Sequence, residues 1–301
     1  MTIVLTTPTG NTGALIAHHL IKAGANVTVL VRHPAKLNDV IRHHASVFQG
    51  SLDDREFVVQ ATKGAEALYW VVPNNFGSSN LRAWQRQVGD AAAAAIRANQ
   101  IPYVVNLSSN GAHLPDGMGP ISGLHDVEET LNSVVPNLIH LRPGFFMENY
   151  LMQLAPIQSA GRVFLPLAGE RRLAMIATQD IAAVAAQLLL HRSWNGQSVL
   201  GLHGPTDLSF NEAAAILSQM LNRSIIHMQT TFDQFRDSLL QNGASENVAA
   251  DYVQMWTKLG DPDYAPAELR TSKTTTPTSF SQFVQERMLP LLKATVANVA
   301  S

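Results

Sequence analysis

The first 150 residues alternate between short runs rich in Val, Ile and Leu and longer runs with helical spacing. Strand-like segments fall at Ile3–Leu5, Val27–Val31 (VTVLV), Val47–Phe48, Ala67–Val72 (ALYWVV), Tyr103–Leu107 (YVVNL) and Leu138–Leu141 (LIHL). Between them the spacing predicts helices over Gly13–Lys22 and Asn80–Asn99, and part of one over Glu128–Leu131. Strands that are apolar throughout belong to a parallel sheet covered on both faces. Such strands alternating with helices predict an α/β, doubly wound, Rossmann-type fold. Tyr69 and Trp70 lie inside one strand, and one of the two is read as core.

After Arg142 the alternation weakens. Residues 149–172 read as irregular, with Pro156, Gly161, Pro166 and Gly169. A helix at Gln179–Leu190 and a strand at Ser198–Leu202 then restore it, followed by helical stretches at Asn211–Leu221 and Phe232–Leu259 and a last helix from Ser281. The expected division is a dinucleotide-binding domain over residues 1–150, with 178–204 returning to it. Residues 151–177 and 205–301 are expected to form a smaller, mostly helical substrate-binding lobe over the sheet's carboxyl edge.

Composition excludes several classes of function. The 301 residues include no cysteine, which removes disulfides, thiolate catalysis and Cys-ligated metal sites. A net charge of −2 gives no basic footprint for nucleic acid or an anionic membrane. The longest mainly apolar runs, Ala91–Ile96 and Ile181–Leu190, fall short of the ~20 residues that span a bilayer. Pro8, Gly10 and Asn11 interrupt the opening stretch where a signal peptide would continue. The expected location is the cytoplasm, with no metal, nucleic acid or membrane as partner. No HExxH metal motif, GxSxG elbow or Walker loop occurs, and Asp53–Asp54 is read as a helix cap.

The chemistry is expected at TTPTGNTG, Thr6–Gly13, where the first strand turns into the first helix. In doubly wound folds the turn after the first strand aims backbone N–H groups at a pyrophosphate, helped by the helix dipole. Gly10 and Gly13 have the spacing of the last two glycines of that fingerprint, whereas Thr7 stands where the first belongs. The bland alternative is an ordinary loop with incidental glycines. A second signal stands 19 residues beyond Gly13: Arg32 ends VTVLV, with Lys36 close behind. An acidic residue there grips ribose hydroxyls, whereas a guanidinium suits a 2′-phosphate. The pair of signals favours NADPH, with NADH as the alternative.

These residues carry a resemblance. TPTGNTG, LVRHPAK, GSLDD, LSSNGA, GLHDVEETL, LRPGFFMENY, MIATQDIA and TTTPTSFSQF together resemble the NmrA-like atypical short-chain dehydrogenase/reductases nearly end to end. The family includes NAD(P)H-dependent quinone reductases and regulators that bind the dinucleotide without turning it over. The resemblance implies that Thr7, Thr9, Gly10, Asn11, Thr12 and Gly13 hold the pyrophosphate, and that Arg32 and Lys36 meet the adenosine phosphate. It puts Ser51 and Leu52 beside adenine, Val72 and Pro73 along the ribose, and Ser108 near the nicotinamide. Pro143, Gly144 and Phe145 would back the nicotinamide ring. Phe146, Asn149 and Tyr150 would bound a substrate, with Asn149 bracing that loop.

One departure bears on mechanism. No tyrosine is followed four residues later by lysine, so the Tyr-x-x-x-Lys pair of the wider superfamily is absent. His125 stands where some family reductases carry a lysine. It reads either as a proton donor or as a helix-start histidine contacting water or Asp126. Ser108 and Ser109 read either as hydrogen-bond donors to a substrate carbonyl or as caps. The expected activity is NADPH-dependent reduction of a quinone or similar conjugated carbonyl. The alternative is a non-catalytic dinucleotide sensor whose lobe contacts a regulatory protein.

Overall fold

The computed structural model describes residues 2–293. In chain order its elements are β1 (Thr2–Thr6), α1 (Asn11–Lys22), β2 (Asn26–Val31), α2 (Asp39–His44), β3 (Ala45–Gln49), α3 (Arg55–Ala61), β4 (Ala67–Val71), α4 (Leu81–Asn99), β5 (Tyr103–Leu107), α5 (Pro120–Asn132) and β6 (Asn137–Pro143). There follow β7 (Phe145–Phe146), α6 (Leu154–Ala160), β8 (Arg162–Leu165), β9 (Arg172–Ile176), α7 (Thr178–Leu190) and β10 (Gln197–Leu202). The chain continues with β11 (Asp207–Ser209), α8 (Phe210–Leu221), β12 (Ile226–Gln229), α9 (Phe232–Gln241), α10 (Glu246–Gly260) and α11 (Phe280–Phe283).

Seven strands form one parallel sheet in the order β10-β6-β5-β4-β1-β2-β3. The fold is the doubly wound α/β arrangement that the alternating pattern predicts. Successive strand residues point to opposite faces, and both faces are covered. Ile3, Leu5, Tyr69 and Leu141 pack with Ile16 and Leu20 of α1 and Ile181 and Leu189 of α7. Val4, Leu68, Trp70 and Leu138 pack with Val58 of α3, Val88 and Ala92 of α4, and Leu131 of α5. Tyr69 and Trp70 are therefore both core, one on each face, rather than only one of them. The strand order reverses between β1 and β4, which opens a crevice at their carboxyl ends.

Three expectations about the second half need correction. Residues 149–172 are not irregular: they hold a 3-10 turn, α6, β8 and the start of β9. Phe232–Leu259 is not one helix, because Gly243 takes φ +88° and Ser245 caps a new one by accepting the Val248 N–H. The Glu128–Leu131 fragment lies in a helix that starts at Pro120, which puts His125 in its middle.

The lobe has its own core, in which Tyr150, Phe210, Phe280 and Phe283 are nearly inaccessible. Two carboxylates lock it to the sheet at the N-terminus of α7. Glu148 accepts from the Thr178 backbone N–H and hydroxyl, and Asp180 accepts from those of Thr278. Anions are favoured at a helix N-terminus, so MEN, MIATQDIA and TTTPTSF meet at one capping network.

Candidate functional site

Each loop that leaves the carboxyl edge of the sheet contributes to the site. Three hollows run along that edge and share walls. The first, about 230 Å³, is bounded by Thr7, Thr9, Gly10, Arg32, Lys36, Ser51, Leu52 and Pro73. The second, about 190 Å³, continues past Val72, Pro73 and Asn74 to Ser109, Ile121 and Met255. The third, about 560 Å³, begins at Ser109 and Ile121 and opens against Pro143, Gly144, Phe145, Phe146 and Asn149. The far wall belongs to the lobe, with Met255, Trp256, Tyr264 and Glu268.

The first turn answers why Thr7 can stand in a glycine's place. Thr7 adopts φ +51°, the left-handed region that favours glycine and is strained for a β-branched residue. Its carbonyl accepts the Gly10 N–H at 3.0 Å and closes the turn. Gly13 packs directly beneath: a Cβ there would lie 2.2 Å from the Thr7 oxygen. Gly10 caps α1 without a side-chain acceptor, so the first-turn N–H groups of Asn11, Thr12 and Gly13 remain available. The Thr12 hydroxyl turns inward and accepts from Tyr69 at 3.3 Å, leaving its backbone N–H as its contribution. The cradle fits a dinucleotide pyrophosphate.

Arg32 and Lys36 are exposed at the mouth of the same hollow. Among the described residues, the Arg32 guanidinium has no carboxylate within ion-pair distance. Trp84, which no motif singled out, closes the opposite wall and donates its indole N–H to Asp53 at 3.1 Å. Hydrogen bonding from Ser51 is the main cause that holds the Asp53 carboxyl below its usual range, and Arg32 adds to it. Asp54 alone caps α3, through the Phe57 N–H, so the Asp53–Asp54 cap reading holds for one of the two.

Three expected site residues lie elsewhere. His125 lines none of the three hollows, and its Nδ1 is bonded to the Ala112 carbonyl at 2.8 Å. The wall of α5 is made by Ile121 and Leu124, one helical turn earlier or on a different face. Tyr150 is core, its ring tilted against Phe280 with centroids 4.8 Å apart, because the 3-10 turn after β7 rotates it into the lobe. Ser108 is also buried, with its Oγ unpartnered among the described residues, whereas Ser109 reaches the second and third hollows.

In their place the structure brings up groups to which the motifs assigned no role. Arg142, in LRPGFF, is bidentate to Glu128 at 3.0 and 2.5 Å and pairs with Glu268 at 2.7 Å. The strap of residues 261–278 is thereby tied across the third cavity, and Arg270 fastens it again to Asp207 and the Gly204 carbonyl. The strap supplies Tyr264 and Glu268, and His203 joins them on the wall.

Comparison with known proteins agrees with this fold. The chain is 28% identical over 264 residues to the NAD(P)H azoreductase of Xenophilus azovorans, covering 87% of this chain and 88% of that one. It is 26% identical over 251 residues to quinone oxidoreductase 2 of Escherichia coli strain K12, covering 82% and 84%. The structure of the Escherichia coli NADPH-dependent quinone oxidoreductase complexed with NADPH superposes with a TM-score of 0.73 at 20% identity, over 96% of this chain and all of that one. The family model described as NmrA-like family matches residues 1–279, and the chain belongs to that family.

Proposed function

We propose that the protein is an NADPH-dependent oxidoreductase that reduces a quinone or a similar conjugated ring compound by hydride transfer. The observation that carries this reading is the unbroken line of three hollows, from the Arg32 guanidinium to an aromatic-walled cavity of about 560 Å³. The named relatives, an NAD(P)H azoreductase and a quinone oxidoreductase, support an NAD(P)H-dependent oxidoreductase. The preference for NADPH and the ring substrate are our reading of the residues.

Bound NADPH supplies the hydride. Thr7–Gly13 would hold the pyrophosphate by backbone N–H groups, Arg32 and Lys36 the 2′-phosphate, and Ser51, Leu52 and Trp84 the adenine. Pro143, Gly144 and Phe145 would back the nicotinamide, and Phe146 and Asn149 would bound the substrate. Phe145 meets Trp256 edge-on at 6.0 Å, which joins sheet and lobe into one apolar wall suited to a flat ring.

NADPH oxidation by the purified protein across a panel of quinones tests the reading. Turnover establishes the reductase. Tight NADPH binding without oxidation of any acceptor sinks it and leaves the dinucleotide sensor, with a search for a protein partner as the next step.

A further inference from the structure

Tyr264 lines the third cavity, and the protein itself hardly uses its hydroxyl. Tyr264 Oη lies 3.5 Å from Asn110 Oδ1, the outer limit of a hydrogen bond. Ser109, Arg171 and His203 Nε2 on the same wall are committed elsewhere, whereas the Asn149 amide stands on the opposite, sheet side. Ser109 donates to the Asn110 carbonyl at 3.2 Å, and Arg171 donates to the carbonyls of Leu259 and Tyr264. His203 faces the Glu268 carbonyl through Nε2 at 3.1 Å, which fixes its N–H there. Burial, followed by Arg270, holds the His203 imidazole below its ordinary range.

Tyr264 comes from the lobe, yet its hydroxyl sits at the sheet. A Cβ on Gly111 would lie 3.0 Å from it, so this glycine, at φ +99°, leaves the phenol room beside the turn that follows β5. That turn carries Ser109 at the junction of the second and third hollows. Burial, with Glu268 behind it, pushes the Tyr264 phenol up to about 12, so it stays protonated throughout the physiological range.

We propose that the Tyr264 hydroxyl is the hydrogen-bond donor to the substrate heteroatom on which negative charge gathers during reduction. The proposal rests on the reductase reading. Hydride adds to the ring compound with its electron pair, the substrate is reduced and the nicotinamide oxidised, and the resulting charge settles on oxygen or nitrogen. Tyr264 stabilises that charge as an oxyanion-hole donor does. It keeps its proton, since so weak an acid does not protonate a reduced quinone; water completes the hydroquinone. A substrate whose reduction cancels a positive charge, such as a triarylmethyl cation, gains nothing from this donor.

Tyr264→Phe keeps the ring and removes only the hydroxyl. We expect unchanged NADPH affinity by fluorescence titration and a kcat for a naphthoquinone lower by about a hundredfold. For any triarylmethyl cation that the wild type reduces, turnover stays within about twofold. Equal loss on both acceptors, or quinone turnover within about twofold of wild type, overturns the proposal. If the wild type binds NADPH but reduces nothing, the reductase reading fails, and the donor is judged on binding of 9-fluorenone, an aromatic ketone. Weaker fluorenone binding to Tyr264→Phe than to wild type upholds it; equal binding, or none to either form, overturns it.

Discussion

The Arg32→Ala substitution tests the cofactor end of the site with the fewest side effects. Arg32 is exposed, follows the last residue of β2 and has no ion pair to lose among the described residues, so its removal should leave the fold intact. A hydrogen bond to a charged group contributes about 1.5–3 kcal/mol, but exposure to water and salt reduces that, to about 1–2 kcal/mol here. At ~1.4 kcal/mol per tenfold, the NADPH-over-NADH affinity ratio should fall by about 5- to 30-fold. Almost all of the change should be in NADPH, because NADH lacks the 2′-phosphate. Lys36, on the same rim, should give a smaller effect of the same sign. The assay is fluorescence titration of both cofactors into both proteins at two ionic strengths. The wild-type preference should shrink with salt, and the smaller residual preference of the variant, left to Lys36, should shrink by less. An unchanged ratio, or an equal loss for both cofactors, would refute the assignment of Arg32 to the phosphate.

Three further outcomes follow from the geometry. His140 accepts from Asn106 at Nδ1 and donates to Asn132 at Nε2, a neutral arrangement, and burial, chiefly, lowers its pKa from 6.5 to about 4. The folded value lies below the unfolded one, so this stability is present above about pH 6.5 and lost as pH falls through about 4; at ~1.4 kcal/mol per pH unit it amounts to about 3 kcal/mol. Urea unfolding at pH 7.5 and 4.5 should show His140→Gln losing less stability on acidification than wild type, and parallel losses would discount the role. Gly13→Ala drives a methyl into the Thr7 backbone, so NADPH affinity should fall at least about tenfold and stability by about 1–3 kcal/mol; an unaltered titration would mean the turn does not hold the cofactor. Thr7→Gly relieves about 1–2 kcal/mol of left-handed strain against about 0.5–1 kcal/mol of added unfolded-state freedom, so Tm should rise by about 1–2 °C, and a fall would mean that the hydroxyl or methyl stabilises the turn.

What could be read in the sequence was what local chemistry dictates. Runs such as VTVLV and YVVNL are buried on both faces and carry no competing pattern, so they announce a parallel sheet. The first hollow was legible for the same reason: Thr7, Thr9, Gly10 and Arg32, which line it, all stand within a few residues of a strand end. The Asn-Gly pair at 242–243 and the Ser245 cap also announced a helix break, but the helical spacing on both sides obscured it.

The substrate end was decided only by tertiary structure. His125 and Ser108 occupy promising positions along the chain, yet His125 lies one turn beyond Ile121 and is bonded to the Ala112 carbonyl, and the end of β5 buries Ser108. Tyr264 and Glu268 stand in an unremarkable strap and reach the site because Glu268 pairs with Arg142, 126 residues earlier. Trp84 closes the first hollow because α4 packs against the segment carrying Asp53. Periodicity and turn chemistry are local and determine elements and the backbone cradle. Which side chains line a cavity between sheet and lobe depends on how distant elements rotate and pack, and no short-range pattern encodes that.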